Sequence, residues 1–356
     1  MKNQPCNIKG IISKVVIACG SLLLTFTAMA IESAYTLDNK SKGQVVTSII
    51  SELEQGYIFP KKAREVGSNL LKRLQKNEYQ NINDANVFAE TLTEHLQLAS
   101  GDKHLQVEFS DRFNPVGSDI KAQEARAKFE LDMWRSHNFG FKKIERMTFN
   151  IGYLELSAFG PVKEVGTLLA SAMNLLSNTD SLIIDLRGNF GGNEQTVQLL
   201  SSYFLNQRTH LLNMVRREGN RTDQHWSSDY VEGKRYGEEK DIYILIDKNS
   251  FSAAEDFSYT MKNLKRATLI GETSGGAANS GESVRLSGHF NLFLPNARGV
   301  SPITKTNWEG TGVTPDIKVL GEDALKKAQR IILTKLIANE QDSRRIERIK
   351  KRISEL

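Results

Sequence analysis

One pattern repeats from Ile151 to Ile270: a short, nearly uninterrupted apolar run followed by a helix-length amphipathic stretch. Ile151-Gly-Tyr-Leu-Glu-Leu precedes Val162 to Leu176. Ser181 to Leu186 precedes Glu194 to Phe204. Asp241 to Asp247 precedes Ser252 to Leu264, and Ala267 to Ile270 follows. Runs apolar on both faces suit parallel strands covered by helices above and below. Strands alternating with helices therefore predict an α/β layered core and argue against all-helical or all-strand folds.

Both flanks read differently. Val45, Val46, Ile49, Ile50, Leu53 and Tyr57 recur at three- and four-residue spacing, Pro60 interrupts, and Ala63 to Leu74 resumes. A third segment runs through Val87, Leu92, Leu96 and Leu98, which makes a small helical unit. Asp102-Lys103-His104 then leads into alternating Leu105, Val107 and Phe109, a short strand. Ala122 to Met133 reads as a helix. Ser283 to Leu286 and Phe290 to Leu294 read as a hairpin. Residues 322–356 return to helix, with Leu325, Ala328, Ile332 and Leu336 on one face. The expected division is a signal at 1–30, a helical subdomain at 31–100, the α/β core at 101–321 and a helical extension at 322–356.

Residues 1–30 read as an export signal: Lys2, Lys9 and Lys14 before the apolar stretch Val15 to Ala28, then small-x-small at Ala28-Met29-Ala30. Cleavage after Ala30 predicts a periplasmic or secreted protein with no stable membrane span. An uncleaved anchor and a lipoprotein modified at Cys19 remain alternatives. Removing these residues takes away three lysines and no acids, so the net charge falls from +5 to +2, with 44 basic against 42 acidic residues. Such a balance makes no electrostatic case for nucleic acid. The basic run Arg344 to Arg352 reads as a solvated helix face. Both cysteines, Cys6 and Cys19, lie in the signal, so disulfides, thiolate metal sites and a cysteine nucleophile drop out together. His-Glu-x-x-His is absent and the six histidines are scattered, so neither a catalytic zinc nor any other cofactor is expected.

Chemistry concentrates in four turns. In Asp185-Leu-Arg-Gly-Asn-Phe-Gly-Gly, glycines at 188, 191 and 192 can present bare N–H groups near the start of a helix. That suits an oxyanion or a phosphate, and equally a tight turn with no ligand. The G-x-G-x-x-G spacing of a dinucleotide site is missing. In Asn249-Ser-Phe-Ser-Ala-Ala-Glu-Asp-Phe, Ser252 sits where a helix begins, at the sheet edge where α/β folds bind ligands. The same Ser252-Ala-Ala-Glu255 is also a capping box. Gly271 to Gly281 reads as a substrate-wrapping or mobile loop, and Asn307 to Asp316 as a turn-rich stretch.

Taken in order, these stretches resemble the carboxyl-terminal processing peptidase (tail-specific protease) family. The resemblance is carried by Leu182-Ile-Ile-Asp-Leu-Arg-Gly-Asn-Phe-Gly-Gly, Ser250-Phe-Ser-Ala-Ala-Glu-Asp-Phe, Ala267-Thr-Leu-Ile-Gly-Glu-Thr-Ser-Gly-Gly-Ala and Gly310-Thr-Gly-Val-Thr-Pro-Asp-Ile. It covers roughly residues 41–320. It implies a crotonase-like (ClpP-like) core and a serine endopeptidase with Ser252 as nucleophile, acting on peptides or unfolded exported proteins. The oxyanion would lie on the N–H of Gly191 or Gly192 together with that of Ala253. Many relatives carry a catalytic lysine in the loop after the helix, where this chain has Ala277. Similarity to the tricorn-core and retinoid-binding-protein branch implies a histidine instead. His104 matches as base and Glu309 as supporting carboxylate, with Glu255 and Asp256 as rivals that also read as first-turn helix acids. Too few residues separate Phe109 from Phe139 for the family's peptide-binding PDZ insertion. The alternative is a non-catalytic ligand- or peptide-binding protein on the same fold, which the alanine at 277 favours.

Overall fold

The structure is a computed structural model and describes residues 35, 37–111 and 120–356; the signal assigned to residues 1–30 lies outside them. Three helices come first: α1 (Asn39–Gly56), α2 (Pro60–Gln75) and α3 (Ala85–Ser100). Each start has a local cause. Asp38 accepts from Ser41 N–H, Pro60 occupies the first turn of α2, and Asp84 accepts from the N–H groups of Asn86 and Val87. Gly101 ends α3 in the left-handed conformation. Strand β1 (Gln106–Phe109) and helix α4 (Ile120–Ser136) follow.

The core then alternates as expected: β2 (Phe141–Met147), β3 (Ile151–Leu156), α5 (Val162–Leu176), β4 (Ser181–Asp185), α6 (Glu194–Ser202), β5 (His210–Arg216), β6 (Thr222–Trp226), β7 (Asp241–Ile246), α7 (Ala253–Asn263) and β8 (Thr268–Gly271). β9 (Asn279–Arg285), β10 (Phe290–Val300), β11 (Ile317–Lys318), α8 (Ala324–Ala338) and α9 (Ser343–Glu355) complete the chain.

Two sheets result. The first runs β11-β8-β7-β4-β3-β2, parallel from β11 to β3, with β2 antiparallel at the edge. All of β4 is buried, as expected for a strand covered on both faces. One face packs α5, α6 and α7 through Leu182, Ile184, Ile244, Leu169, Leu200 and Phe257. The other packs α8 and α9 through Ile183, Leu245, Ile332 and Ile349. The second sheet is antiparallel, in the order β1-β10-β5-β6, with β9 also paired to β10. Residues 37–356 pack as one unit, so the leading helices do not stand apart from the core. Phe88 of α3 packs edge-on against Phe290 of β10.

Three features go beyond the expectations. The hairpin is longer than its apolar residues suggest: β9 begins at Asn279, and a bulge between Pro295 and Ala297 absorbs the irregular register. Residues 322–356 form two helices, because Asp342 caps a new one. β5 and β6 were not expected. The basic face of α9 is solvated as expected, with Arg345, Lys350 and Arg352 paired to nearby glutamates and Ile349 buried.

Candidate active site

The turns after β4 and β7 meet at the carboxyl edge of the parallel sheet and are laced together. Ser250 Oγ donates to Leu186 O at 2.7 Å, Gly188 N–H to Asp247 Oδ1 at 3.0 Å, and Phe251 N–H to Asn189 O at 2.9 Å. Contact is closest at Gly191, where a Cβ would fall 2.7 Å from Ser252 Cβ. Only glycine permits that approach, and its φ of 103° also requires glycine. At Gly192 a Cβ would lie 2.1 Å from Phe159 O. Asp185 and Arg187, conspicuous in the motif, serve the scaffold. They form an ion pair at 2.5 Å, Tyr153 OH donates to Asp185, and Arg187 also donates to Gly321 O.

Ser252 caps α7 with φ 53° and ψ −114°, a strained conformation for a residue with a side chain. Its N–H donates to Glu255 Oε2 at 2.9 Å, the bond a capping box supplies, so the capping reading holds at the same edge where a ligand would bind. Ser252 lines a cavity of about 500 Å³ with His104, Phe190, Gly192, Ser280 and Phe293. Of the three N–H groups expected to bind an oxyanion, that of Gly191 is already donated to Asn189 Oδ1 at 2.9 Å. Those of Gly192 and Ala253 have no partner among the described residues, and both residues line the small recess beside Ser252. Ala253 is the first residue of α7, where the helix dipole adds partial positive charge.

His104 reaches this cavity from the turn between α3 and β1. Asp102 shapes that turn by accepting the His104 N–H at 3.0 Å. The imidazole lies between Phe251 and Phe293, with ring centroids 4.9 and 5.7 Å away. Burial among these rings lowers its pKa, opposed by the Asp102 charge, so a neutral, proton-accepting ring prevails near neutral pH. Nδ1 lies 4.0 Å from Asp102 Oδ1.

Glu309 does not line the Ser252 cavity; it sits behind His104. The donor atoms of Asp102, His104 and Glu309 all lie within 4.8 Å of one another. Glu309 Oε2 accepts from Ala278 N–H at 2.6 Å, and burial raises the carboxyl pKa to about 7. Asp102 is the residue that sequence reasoning missed, although it stands two positions from His104. Its buried carboxylate accepts from Tyr57 OH at 3.0 Å and Asn279 Nδ2 at 2.9 Å.

The rival carboxylates have other surroundings. Glu255 is fully buried and accepts from Ser252 N–H, Ser274 Oγ, Gly276 N–H and Ala277 N–H, which pins the glycine-rich loop. That loop is therefore tied down rather than free. Asp256 lines the recess of about 40 Å³ beside Ser252, and burial raises its pKa to about 7. Ala277, in place of the relatives' lysine, is buried in the wall of the same recess. No helix among the described residues is long and apolar enough to cross a membrane.

The layered α/β scaffold thus sets a strained serine beside two N–H groups without partners among the described residues, and comparison with known proteins adds a family. The model of peptidase family S41 matches residues 150–319, and that of the N-terminal domain of S41 peptidases in eukaryotic IRBP matches residues 30–133. Together they cover most of the chain, and the chain belongs to peptidase family S41. It is 25% identical over 177 residues to the carboxy-terminal processing protease CtpB of Bacillus subtilis, covering 49% of this chain and 35% of that one. It is 31% identical over 179 residues to a carboxy-terminal-processing protease of Bartonella bacilliformis, covering 49% and 40%. The matches thus span less than half the length of these curated relatives. Among solved structures, a lipoprotein from Streptococcus agalactiae shares the fold at a TM-score of 0.55 and 17% identity, over 83% of this chain and 96% of that one.

Proposed function

We propose that this chain is a serine endopeptidase of peptides or unfolded exported proteins. Ser252 Oγ attacks the carbonyl carbon of the scissile bond, and His104 takes its proton and returns it to the leaving amine. The N–H groups of Gly192 and Ala253 hold the oxyanion of the tetrahedral intermediate. Asp102 and Glu309 stand behind His104 as positioning groups that orient the ring and stabilise it once it is protonated. The observation that carries this reading is that Ser252 and His104 open onto one cavity next to two unpartnered N–H groups. The layered helices and sheets also support the crotonase-like core, and residues 1–30 alone support export.

The lysine missing at Ala277 favours a binding protein on the same fold. A buried, neutral His104 answers that objection by supplying another base. Digestion of a peptide pool by the wild type and by Ser252→Ala, read by mass spectrometry, tests the assignment. Cleavage by the wild type alone is expected. Cleavage by neither, at several pH values, would move the weight to the binding reading.

A further inference from the structure

A second cavity, of about 430 Å³, opens behind the catalytic histidine. Tyr57, Asp102, Asn279 and Glu309 line it, whereas Ser252 does not. Glu309 Oε1 and Asn279 Oδ1, on residues that line it, have no hydrogen-bond partner, and neither does the buried Nδ1 of His104, whose ring lines the Ser252 cavity next to Asp102. Buried polar atoms left without a partner are costly and rare in native structures, so this group of them points to an occupant. The His104 side chain is only 9% exposed, and Nδ1 lies 4.0 Å from Asp102 Oδ1. Asp102 Oδ2 is taken by Tyr57 and Asn279, which leaves Oδ1 turned towards the His104 turn.

One imidazole nitrogen and two carboxylates form a donor set suited to zinc-like ions, while calcium and magnesium favour more oxygen ligands. One possible ligand atom from each of the three residues lies within 4.8 Å of the other two. Tetrahedral zinc, with bonds of about 2.0–2.1 Å, brings its ligand atoms to about 3.3 Å apart. Side-chain rotations that close the cluster by about 1–1.5 Å suffice to reach that spacing. We propose that Asp102 Oδ1, His104 Nδ1 and Glu309 Oε1 bind a divalent transition-metal ion of the zinc class. The ion enters through the second cavity, and its binding switches off the Ser252 site.

The switching follows from the tautomer. His104 accepts the Ser252 proton only when Nε2 carries a lone pair and Nδ1 carries the ring hydrogen. A metal on Nδ1 drives that hydrogen to Nε2, and the carboxylates coordinate in their ionised form. Nε2 is then a donor, and the base is lost without the substrate cavity being blocked. Lys61 and Lys62 stand at the mouth with Glu65, so charge does not draw the cation in and affinity must come from the three ligands. The inhibition, though not the binding, rests on the peptidase reading.

The probe is Co²⁺ alone, titrated into the protein carrying Ser252→Ala, which retains all three ligands. One equivalent should produce the intense visible bands of a four-coordinate ion, and Zn²⁺ should erase them. Adding Glu309→Gln or Asp102→Asn should weaken the binding at least about 10- to 100-fold, the cost of removing even an outer-shell partner. Circular dichroism must report each variant as folded. A spectrum that stays that of the hydrated ion overturns the proposal in favour of a water at the site. Binding that survives both variants overturns it by placing the ion elsewhere. In the wild type, Zn²⁺ should lower kcat with KM unchanged and a chelator should reverse it. If the wild type cleaves nothing, the peptidase reading falls while the Co²⁺ result still decides the site.

Discussion

Ser252 and Glu255 are joined by a 2.9 Å hydrogen bond from the serine N–H to the glutamate Oε2, and that carboxylate also takes the N–H groups of Gly276 and Ala277. One buried carboxylate therefore holds both the backbone of Ser252 and the loop that walls its recess. Ser252 keeps its positive φ because neighbours on both sides fix it: the close approach at Gly191 leaves no room beside its Cβ, and Glu255 holds its N–H.

Glu255→Gln should destabilise the fold by about 2–4 kcal/mol, since it replaces a charged acceptor of four hydrogen bonds with an amide whose NH₂ faces donors. Urea denaturation measures the loss. kcat/KM should fall more steeply than the folded fraction, because the loop and Ser252 lose their common anchor.

Ser252→Ala should abolish turnover, by roughly 10⁴- to 10⁶-fold. It should cost only about 1 kcal/mol of stability, the usual size of a lost helix cap. Peptide hydrolysis and thermal melting check the two halves. A variant that still cleaves would remove Ser252 from the mechanism.

His104→Gln should lower kcat by at least about 10³-fold with little change in KM, because the base acts in the transition state rather than in binding. Steady-state kinetics on one cleaved peptide decides it. A rise in KM at constant kcat would instead make His104 a wall of the binding cavity.

Gly192→Ala should lose activity and stability together. Its Cβ would sit 2.1 Å from Phe159 O, and its φ of 133° excludes a side chain. A loss above about 3 kcal/mol in urea denaturation is expected from the clash and the strained backbone.

Asp256 predicts a pH dependence of stability. Burial raises its folded pKa to about 7, against about 3.9 unfolded. Between those values the folded chain holds a proton that the unfolded chain has released, so this group's contribution falls as pH rises. The slope reaches about 1.4 kcal/mol per pH unit and vanishes above pH 7. Asp256→Asn keeps an acceptor for Thr260 Oγ1 and removes the proton exchange. Its stability advantage over the wild type should therefore grow between pH 4 and 7 and then level off. A constant difference across that range would contradict the assignment.

The legible parts of the sequence were those where one local pattern decides. Ser181–Asp185 and Asp241–Ile246 are apolar on both faces and end in turns rich in glycine or asparagine, so the strands and the helices after them were readable to within a few residues. β5 and β6 were not. His210-Leu-Leu-Asn-Met-Val-Arg and Thr222-Asp-Gln-His-Trp interrupt the apolar alternation with polar residues that pair across the sheet edge, such as Arg216 with Asp223. Ser252 could be singled out because its turn is short-range. Asp102 could not, because a carboxylate takes its role from what packs around it, and Tyr57 and Asn279 are distant in sequence. The difference between Gly191 and Gly192 was likewise invisible, since it depends on which N–H the Asn189 side chain captures.

The histidine and the serine are carried by different parts of the chain: one by the turn after the third helix, the other by the parallel sheet's carboxyl edge. While the polypeptide is still being completed, the serine's segment has not been made when the histidine's emerges. The two meet in one cavity, whose wall includes Phe293 of β10, the strand that pairs with β1. The proposed base and nucleophile therefore share a cavity only in a chain that has folded across both parts.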